Sequence, residues 1–195
     1  YDKTNKRSLL GSRYALDCKV FHNSFPYPGW SNSDIRNWLN GTFLNDAFTA
    51  EEKAGVAKAT VETKDNSIWE ALCQKKNCGY VLVSSDSSTD QVFLLSLEQA
   101  IECAGHTTID DFCSNSPTKL KAEATEYAKA KGAKTDNGYC WWWLRSPGCR
   151  NGEASYIRKI GDLGNSAIDR NNVAVRPAFW LDLEKMDTSS SGSAD

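Results

Sequence analysis

Residues 140–148 read CWWWLRSPG, and this stretch decides the fold. Successive side chains of a strand point to opposite faces, so Trp141 and Trp143 share one face and Trp142 takes the other. The three rings therefore cannot form one stacking platform for a ligand. Large aromatic side chains are mostly packed, and we predict that one face enters the core while the other lies beneath the following loops. Arg145 is left to bond to backbone or to a carboxylate where the strand bends.

The sequences before and after this stretch differ in composition and in the secondary structure that they predict. From 139 to 183, short segments containing Trp, Ile and Val are separated by Gly, Asn, Asp and Pro, which predicts strands and loops. Upstream, SNSDIRNWLN at 31–40 predicts a helix capped by Ser31 or Ser33 and stopped at Asn40-Gly41. The whole pattern favours an α+β fold.

Other local signals place further elements. Thr49 and Glu52 have the spacing of a capping box, and Ser96 is placed to cap a helix after a buried strand over 92–95. Residues 60–63 and the YVLV run at 80–83 have β-forming composition. We interpret 64–90 as an insertion that decorates the domain, and 184–195 as a disordered tail because it has nothing to bury.

Length and charge exclude several classes of protein. The 195 residues suffice for one domain, which we place at 1–183. A net charge of −2 and scattered Lys and Arg argue against a nucleic-acid partner. No apolar run approaches the ~20 residues of a membrane helix. The N-terminus lacks both Met and a signal-peptide apolar region, so we expect a fragment or a processed product.

Recognisable catalytic and metal-binding motifs are missing from the sequence. The two histidines, His22 and His106, lie in no nucleophile, zinc or phosphate motif, and Asp110-Asp111 is typical of a solvated turn. We therefore predict no catalytic residue, no metal site and no cofactor. The seven cysteines are odd in number, so at least one is unpaired within the chain. Cys73 and Cys78 could close a local disulfide, but buried free thiols are the favoured interpretation.

Four blocks together resemble a family of bacterial and phage domains with the C-type-lectin fold. They are SNSDIRNWLNGTFLNDAFTAEEK, TDQVFLLSLEQA, YCWWWLRSPG and VAVRPAFWL, and they span nearly the whole chain. The residues that match the family pattern are Trp30, Ser33, Ile35, Arg36, Trp38, Leu39, Asn40, Val92 to Ser96, Trp142 to Gly148 and Val175 to Ala178. The resemblance implies a small, twisted, mostly antiparallel sheet with helices packed on it.

The domain type is similar to the variable proteins of diversity-generating retroelements, and more distantly to formylglycine-generating enzyme. In the first group, error-prone copying of a template at its adenines rewrites a C-terminal region, here 140–183. The second group needs a reactive cysteine pair, whereas Cys140 and Cys149 only flank the tryptophans. The Glu-Pro-Asn, Gln-Pro-Asp and Trp-Asn-Asp motifs of calcium-dependent lectins are also missing. We therefore expect a binding protein and not an enzyme.

The segment between the third and fourth blocks is the candidate binding surface. Apolar positions alternate there with polar and aromatic ones, as on strands with one packed side. Randomised adenines in AAC codons never yield Lys, Glu, Gln, Trp or Met, so Glu153 and Lys159 should be fixed scaffold positions or come from other codons. We predict that the ligand-contacting residues are Cys149, Arg150, Asn151, Tyr156, Arg158, Asp162, Asn165, Ala167, Asp169, Arg170, Asn171 and Asn172. Tyr156 and Arg158 are the expected hot spots.

The resemblance and the composition of this surface predict a receptor or adhesin that binds a protein or glycan on another cell or particle. Its expected location is a cell surface, the medium or a phage particle. Two alternatives remain open at this level. One is a catalytic relative of formylglycine-generating enzyme, and the other is a structural module of a larger bacterial surface protein.

Overall fold

The computed structural model describes residues 1–70, 72, 79–114 and 118–185, with only the backbone at 113–114. Its strands are β1 Arg7–Gly11, β2 Asp17–Cys18, β3 Val56–Ala57, β4 Ala59–Thr63, β5 Asp86–Asp90, β6 Val92–Phe93, β7 Thr135–Asp136, β8 Tyr139–Cys140, β9 Trp142–Pro147, β10 Glu153–Ile157, β11 Leu163–Ala167, β12 Ala174–Val175 and β13 Ala178–Asp182. Its α-helices are α1 Asp34–Trp38, α2 Leu44–Ala47, α3 Ala50–Gly55, α4 Leu97–Ala104, α5 Ile109–Ser114 and α6 Glu126–Ala130. A π-helical turn, Leu39–Phe43, joins α1 to α2, and 3-10 turns occupy Ser67–Trp69 and Thr118–Leu120.

The strands form small, mostly antiparallel sheets with helices packed on them, which confirms the predicted α+β class. The five-stranded sheet has the order β11-β10-β9-β12-β2, with a parallel pairing only between β12 and β9. In the second sheet, β13 lies between β1 and β3 and also pairs with β6. The first and last strands are thus antiparallel neighbours, with Leu9 opposite Trp180.

The tryptophan run packs into the core, as predicted, but the burial of its rings does not follow the two predicted faces. Trp142 and Trp143 are both fully buried, whereas Trp141 is half-buried and lies beside the ammonium groups of two lysines. The Trp142 indole N–H donates to the Leu120 carbonyl at 3.0 Å, and that of Trp143 donates to the Lys19 carbonyl at 2.9 Å. Each buried ring therefore has its polar atom satisfied, as burial requires.

Helix α1 begins where its cap was predicted but does not end there. The Ser33 hydroxyl accepts from the Arg36 N–H, which fixes the start. The chain then continues through Asn40 and Gly41 as a π-helical turn, so the predicted stop is wrong. The Asn40 side-chain amide donates to the Val92 carbonyl, and its oxygen accepts from the Gln91 N–H. These long-range bonds replace the solvent contacts that would favour a helix end.

Arg36, the arginine of α1 that matches the family pattern, joins a buried polar cluster around Asp90. Its Nε donates to Asp90 Oδ1 at 2.7 Å, while Asp90 Oδ2 accepts from the Trp30 indole at 2.8 Å and from the Ser88 hydroxyl at 2.6 Å. The Asp90 side chain is fully buried. Because an unpaired buried carboxylate is costly, these donors stabilise one another's positions.

The segment predicted as a decorating insertion contributes to the core. Strands β4 and β5 pair over five residues each, and Trp69 between them is 5% exposed. Its indole N–H donates to the Ser155 hydroxyl at 3.0 Å. The run at 80–83 is not a strand, although the Val81 N–H donates to the Cys149 carbonyl. The β-forming composition was outweighed here because the hydrogen bonds of this segment go to Asn66 and Cys149, neither of which lies in a strand.

The described cysteines differ in state. Cys18, Cys103 and Cys140 are free, and Cys149 is disulfide-bonded. Burial raises the pKa of the Cys18 thiol to about 11 and that of Cys140 to about 12. The predicted free thiols of Cys73 and Cys78 lie outside the described residues. The part of the predicted tail beyond Lys185 also lies outside the described residues. At the start of that tail, Glu184 forms an ion pair with Lys6 at 2.6 Å.

Candidate ligand-binding surface

The candidate surface is built on the hairpin of β10 and β11, which directly follows the buried strand β9. Glu153 lies opposite Ala167 and Ile157 opposite Leu163 in an unshifted register. We use the name C-terminal surface for the predicted ligand-contacting residues between 149 and 172 that reach solvent. Arg150, Asn151, Arg158, Ala167, Asp169, Arg170 and Asn171 are exposed, and Asp162, Asn165 and Asn172 are partly exposed.

Two predicted members do not face outward. Cys149 is 1% exposed, and because it is disulfide-bonded its sulfur is a covalent tether and not a free contact group. Tyr156 is 9% exposed, since its ring lies over Gly164 and meets the Trp143 ring edge-on with centroids 6.1 Å apart. In the opposite sense, Ile160, one of the apolar residues of this segment, is 49% exposed.

Tyr156 belongs to a row of aromatic rings that supports the hairpin. Trp143 contacts Phe21 on one side and Tyr156 on the other. A Cβ at Gly164 would lie 2.8 Å from the Tyr156 ring, so the absence of a side chain there makes room for the ring. Burial raises the pKa of the Tyr156 hydroxyl, while Arg170 and Arg158 act in the opposite direction. The phenol is therefore neutral and lies near the cationic part of the C-terminal surface.

Local hydrogen bonds hold the exposed side chains. Arg158 binds Asp162 through two bonds, Nε to Oδ1 at 2.8 Å and Nη2 to Oδ2 at 2.5 Å, across the turn between β10 and β11. Arg170 donates from Nε to Asn172 Oδ1 at 2.9 Å. Such bidentate and paired contacts limit side-chain freedom before a ligand binds, which lowers the entropic cost of recognition.

The two positions predicted to be fixed make contacts to their surroundings. Glu153 accepts a hydrogen bond from Asn165 and lies 3.9 Å from Arg150. Lys159 forms an ion pair with Asp136. Both therefore link the hairpin to neighbouring groups, as scaffold positions would.

Sequence reasoning missed an apolar border beside the C-terminal surface. Phe25 is 74% exposed, and its ring contacts Gly152, where an added Cβ would lie 2.6 Å from a ring carbon. Val81 and Leu82 are 46% and 63% exposed, and the Val81 N–H bonds to the Cys149 carbonyl. The loop 149–152 therefore runs between two exposed apolar groups. These residues are distant in sequence, so only the fold brings them together.

The side chains suited to metal binding or catalysis are dispersed among the described residues. In the part of the chain that the structure describes, no three His, Cys, Asp or Glu residues form a potential metal site. His106 Nδ1 lies 2.7 Å from Asp111, whose side chain is 44% exposed at the start of α5. Cys140 is free and Cys149 is disulfide-bonded. Over the same described residues, no helix is long and apolar enough to cross a bilayer.

Fold and surface together define a mixed α+β domain in which exposed polar residues flank a largely buried hairpin that packs on Trp143. The chain belongs to the family described as a domain of unknown function, DUF6273, whose model matches residues 5–183. No curated protein and no solved structure matched it. Membership therefore covers most of the chain and names no activity.

Proposed function

We propose that this protein binds a protein ligand on another cell or particle through the C-terminal surface, as a receptor or adhesin. The observation that carries the proposal is the change in burial after Cys149. Every residue of β9 is buried, whereas the loop at 150–152, Arg158 in the turn between β10 and β11, and the segment 169–171 place polar side chains in solvent around a hairpin that packs on Trp143. Recognition residues held on a rigid scaffold are the usual arrangement of binding surfaces.

The neighbouring apolar groups favour a protein over a glycan as the ligand. Phe25, Val81 and Leu82 are large, exposed and grouped around 149–152. Exposed apolar patches with polar surroundings mark protein interaction sites. Arg158 and Arg170 are exposed, and arginine is one of the residue types that dominate the energetics of such interfaces.

The binding experiment titrates the labelled protein onto whole bacterial cells. One portion of cells is treated with protease and another with periodate, which separates protein from glycan ligands. We expect saturable binding that protease abolishes, and about tenfold weaker binding for the double variant Phe25→Ser and Arg170→Ala. The control variant Glu51→Ala changes an exposed position on α3. Absence of saturable binding, or equal binding by both variants, contradicts the proposal.

The finer part of the proposal is that the C-terminal surface is diversified by a retroelement. One support is the resemblance of the four sequence blocks. The other is that all twelve predicted ligand-contacting residues are of types that randomised AAC codons can encode. Substitutions at exposed hairpin positions change stability by about ±0.5 kcal/mol, so the scaffold tolerates such rewriting. The encoding genome should contain a near-copy of the segment from about Trp142 to Phe179, differing only at adenines, beside a reverse transcriptase gene. A complete genome without that copy excludes diversification and leaves ligand binding unaffected.

A further inference from the structure

A cavity separate from the C-terminal surface lies between β4, the start of α4 and β13. Arg145 forms its floor, Trp180 and Phe93 provide aromatic walls, and Glu62 and Glu98 lie at its sides. We call it the Arg145 pocket. No lining residue belongs to 149–172, so the surface proposed above does not account for it.

The guanidinium of Arg145 is buried with neutral acceptors only. The residue is 4% exposed, and its donors reach the carbonyls of Glu62 and Leu94 and the Gln99 side-chain oxygen. These four bonds leave one of its five N–H groups without a partner among the described residues. Its charge likewise has no ion pair in that part of the chain. Burial lowers the pKa of Arg145 to about 10, as expected for a charge that lacks a carboxylate partner.

The outer part of the Arg145 pocket carries charges of both signs, with its two carboxylates exceeding the one lysine that has no ion pair among the described residues. Within the described residues, the side chains of Glu62 and Glu98 make no hydrogen bond or ion pair, and Glu62 alternates outward along β4. Arg7, also at the pocket, is occupied by Asp2 at 2.9 Å and lies 4.7 Å from the centre of the Trp180 ring. Lys64 contributes a cation at the same rim. A positive floor therefore faces a rim with two free carboxylates.

This polarity fits a zwitterion better than a simple ion. A free carboxylate would meet Arg145 but also two rim carboxylates, and a free amine would be repelled by the floor. From this arrangement we propose that the Arg145 pocket binds an α-amino acid. Its carboxylate accepts from the Arg145 guanidinium, its ammonium faces Glu62 and Glu98, and an apolar side chain lies against Trp180. The proposal is independent of the ligand of the C-terminal surface.

Three probes with the same ring test the charge requirement. L-Phenylalanine carries both groups, 3-phenylpropanoate lacks the amine, and 2-phenylethylamine lacks the carboxylate. NMR spectra of the full chain follow the Trp180 indole N–H, which is identified by its loss in Trp180→Phe. We expect saturable shifts with phenylalanine and about tenfold weaker binding of the other two. Equal affinity for all three, or no saturable shift with phenylalanine, overturns the proposal.

Substitutions at the rim test the placement and keep the hydrogen bonds of the buried arginine, because these go to backbone carbonyls and to Gln99 and not to the carboxylates of Glu62 and Glu98. In the variant Glu62→Gln and Glu98→Gln, phenylalanine should lose most of its advantage over 3-phenylpropanoate. The matched control Glu51→Gln removes an exposed carboxylate on α3 and should leave that advantage unchanged. Retained discrimination in the double variant shows that the amine does not face these groups and overturns the assignment. Binding of protein to cells in the earlier experiment should be unchanged by the rim variant.

Discussion

Two regions that are adjacent in sequence are built in opposite ways. In β9, Arg145 makes bonds to Leu94 and Glu62, which are 51 and 83 residues away. In the C-terminal surface, Arg158 and Arg170 bond to side chains only four and two residues away. A side chain with distant partners fixes the arrangement of several elements, whereas one with local partners fixes only its own turn. Change in the second region therefore leaves the first intact.

Cys149 marks the boundary between the two regions. It follows Gly148 directly, is buried and is disulfide-bonded, although its place in the sequence groups it with the surface residues. The Asn66 side chain donates to the carbonyl of Gly148, the preceding residue, and to that of Val81, whose N–H donates to the Cys149 carbonyl. The surface thus begins after an anchored residue, which limits how far changes beyond it can propagate.

The largest effect is expected from removing the aromatic floor. Trp143→Ala deletes a fully buried ring that packs on Phe21 and Tyr156, so the free energy of unfolding should fall by about 3–5 kcal/mol. Chemical denaturation measures the loss. The half-buried Trp141→Ala is the matched control and should cost clearly less. Equal losses would show that the tryptophan run is not divided into core and surface.

A somewhat smaller loss is expected at the buried carboxylate. Asp90→Ala leaves Arg36 and the Trp30 indole without their acceptor, and we expect a loss of about 2–4 kcal/mol because Arg36 keeps some solvent contact. Asp169→Ala, at an exposed aspartate, should change stability by less than about 0.5 kcal/mol. Comparable thermal melts for the two variants would contradict the contrast between long-range and local partners.

The boundary residue comes next. Cys149→Ser removes a disulfide, and we expect a loss of about 2–3 kcal/mol, together with insensitivity of the variant to reductant. Cys103→Ser, at an exposed free thiol, serves as the control and should be close to neutral. If reductant destabilises Cys149→Ser as much as the unmodified chain, the stabilising bond lies elsewhere.

The smallest effect is expected on the C-terminal surface. The triple variant Asp169→Ala, Arg170→Ala and Asn171→Ala changes exposed residues only, so its stability should stay within about 1 kcal/mol of the starting chain. Denaturation curves with unchanged midpoint and slope are the expected result. A loss above about 2 kcal/mol would mean that this surface is part of the scaffold and is not free to vary.

Elements that depend on nearby residues were predictable from the sequence. The caps at Ser33 and Ser96 and the capping box at Thr49 formed as expected, because each needs only a side chain and a backbone N–H three residues apart. The core role of Trp142 and Trp143 followed from their size. Strand β4 also formed where its composition indicated.

The candidate surface was only partly predictable. The alternation of apolar and polar residues predicts that Tyr156 faces outward. In the structure, β10 is buried from Ala154 to Ile157 because it is covered on both faces. Trp69 bonds to Ser155 on one side, and Trp143 meets Tyr156 on the other, next to a register shift between β9 and β10. A period of two identifies the outward side only when one face is open to solvent.

By itself, the sequence determined the α+β class, the local helix starts, the buried tryptophans and the polar segment that follows them. Only the tertiary structure decided that Cys149 and Tyr156 belong to the scaffold, that Phe25 and Val81 border the surface, and that Arg145 lies at the floor of a charged pocket. The reason is physical. Caps and periodicity are set by neighbours within a few residues, whereas burial, pocket polarity and surface continuity depend on segments that meet only after folding.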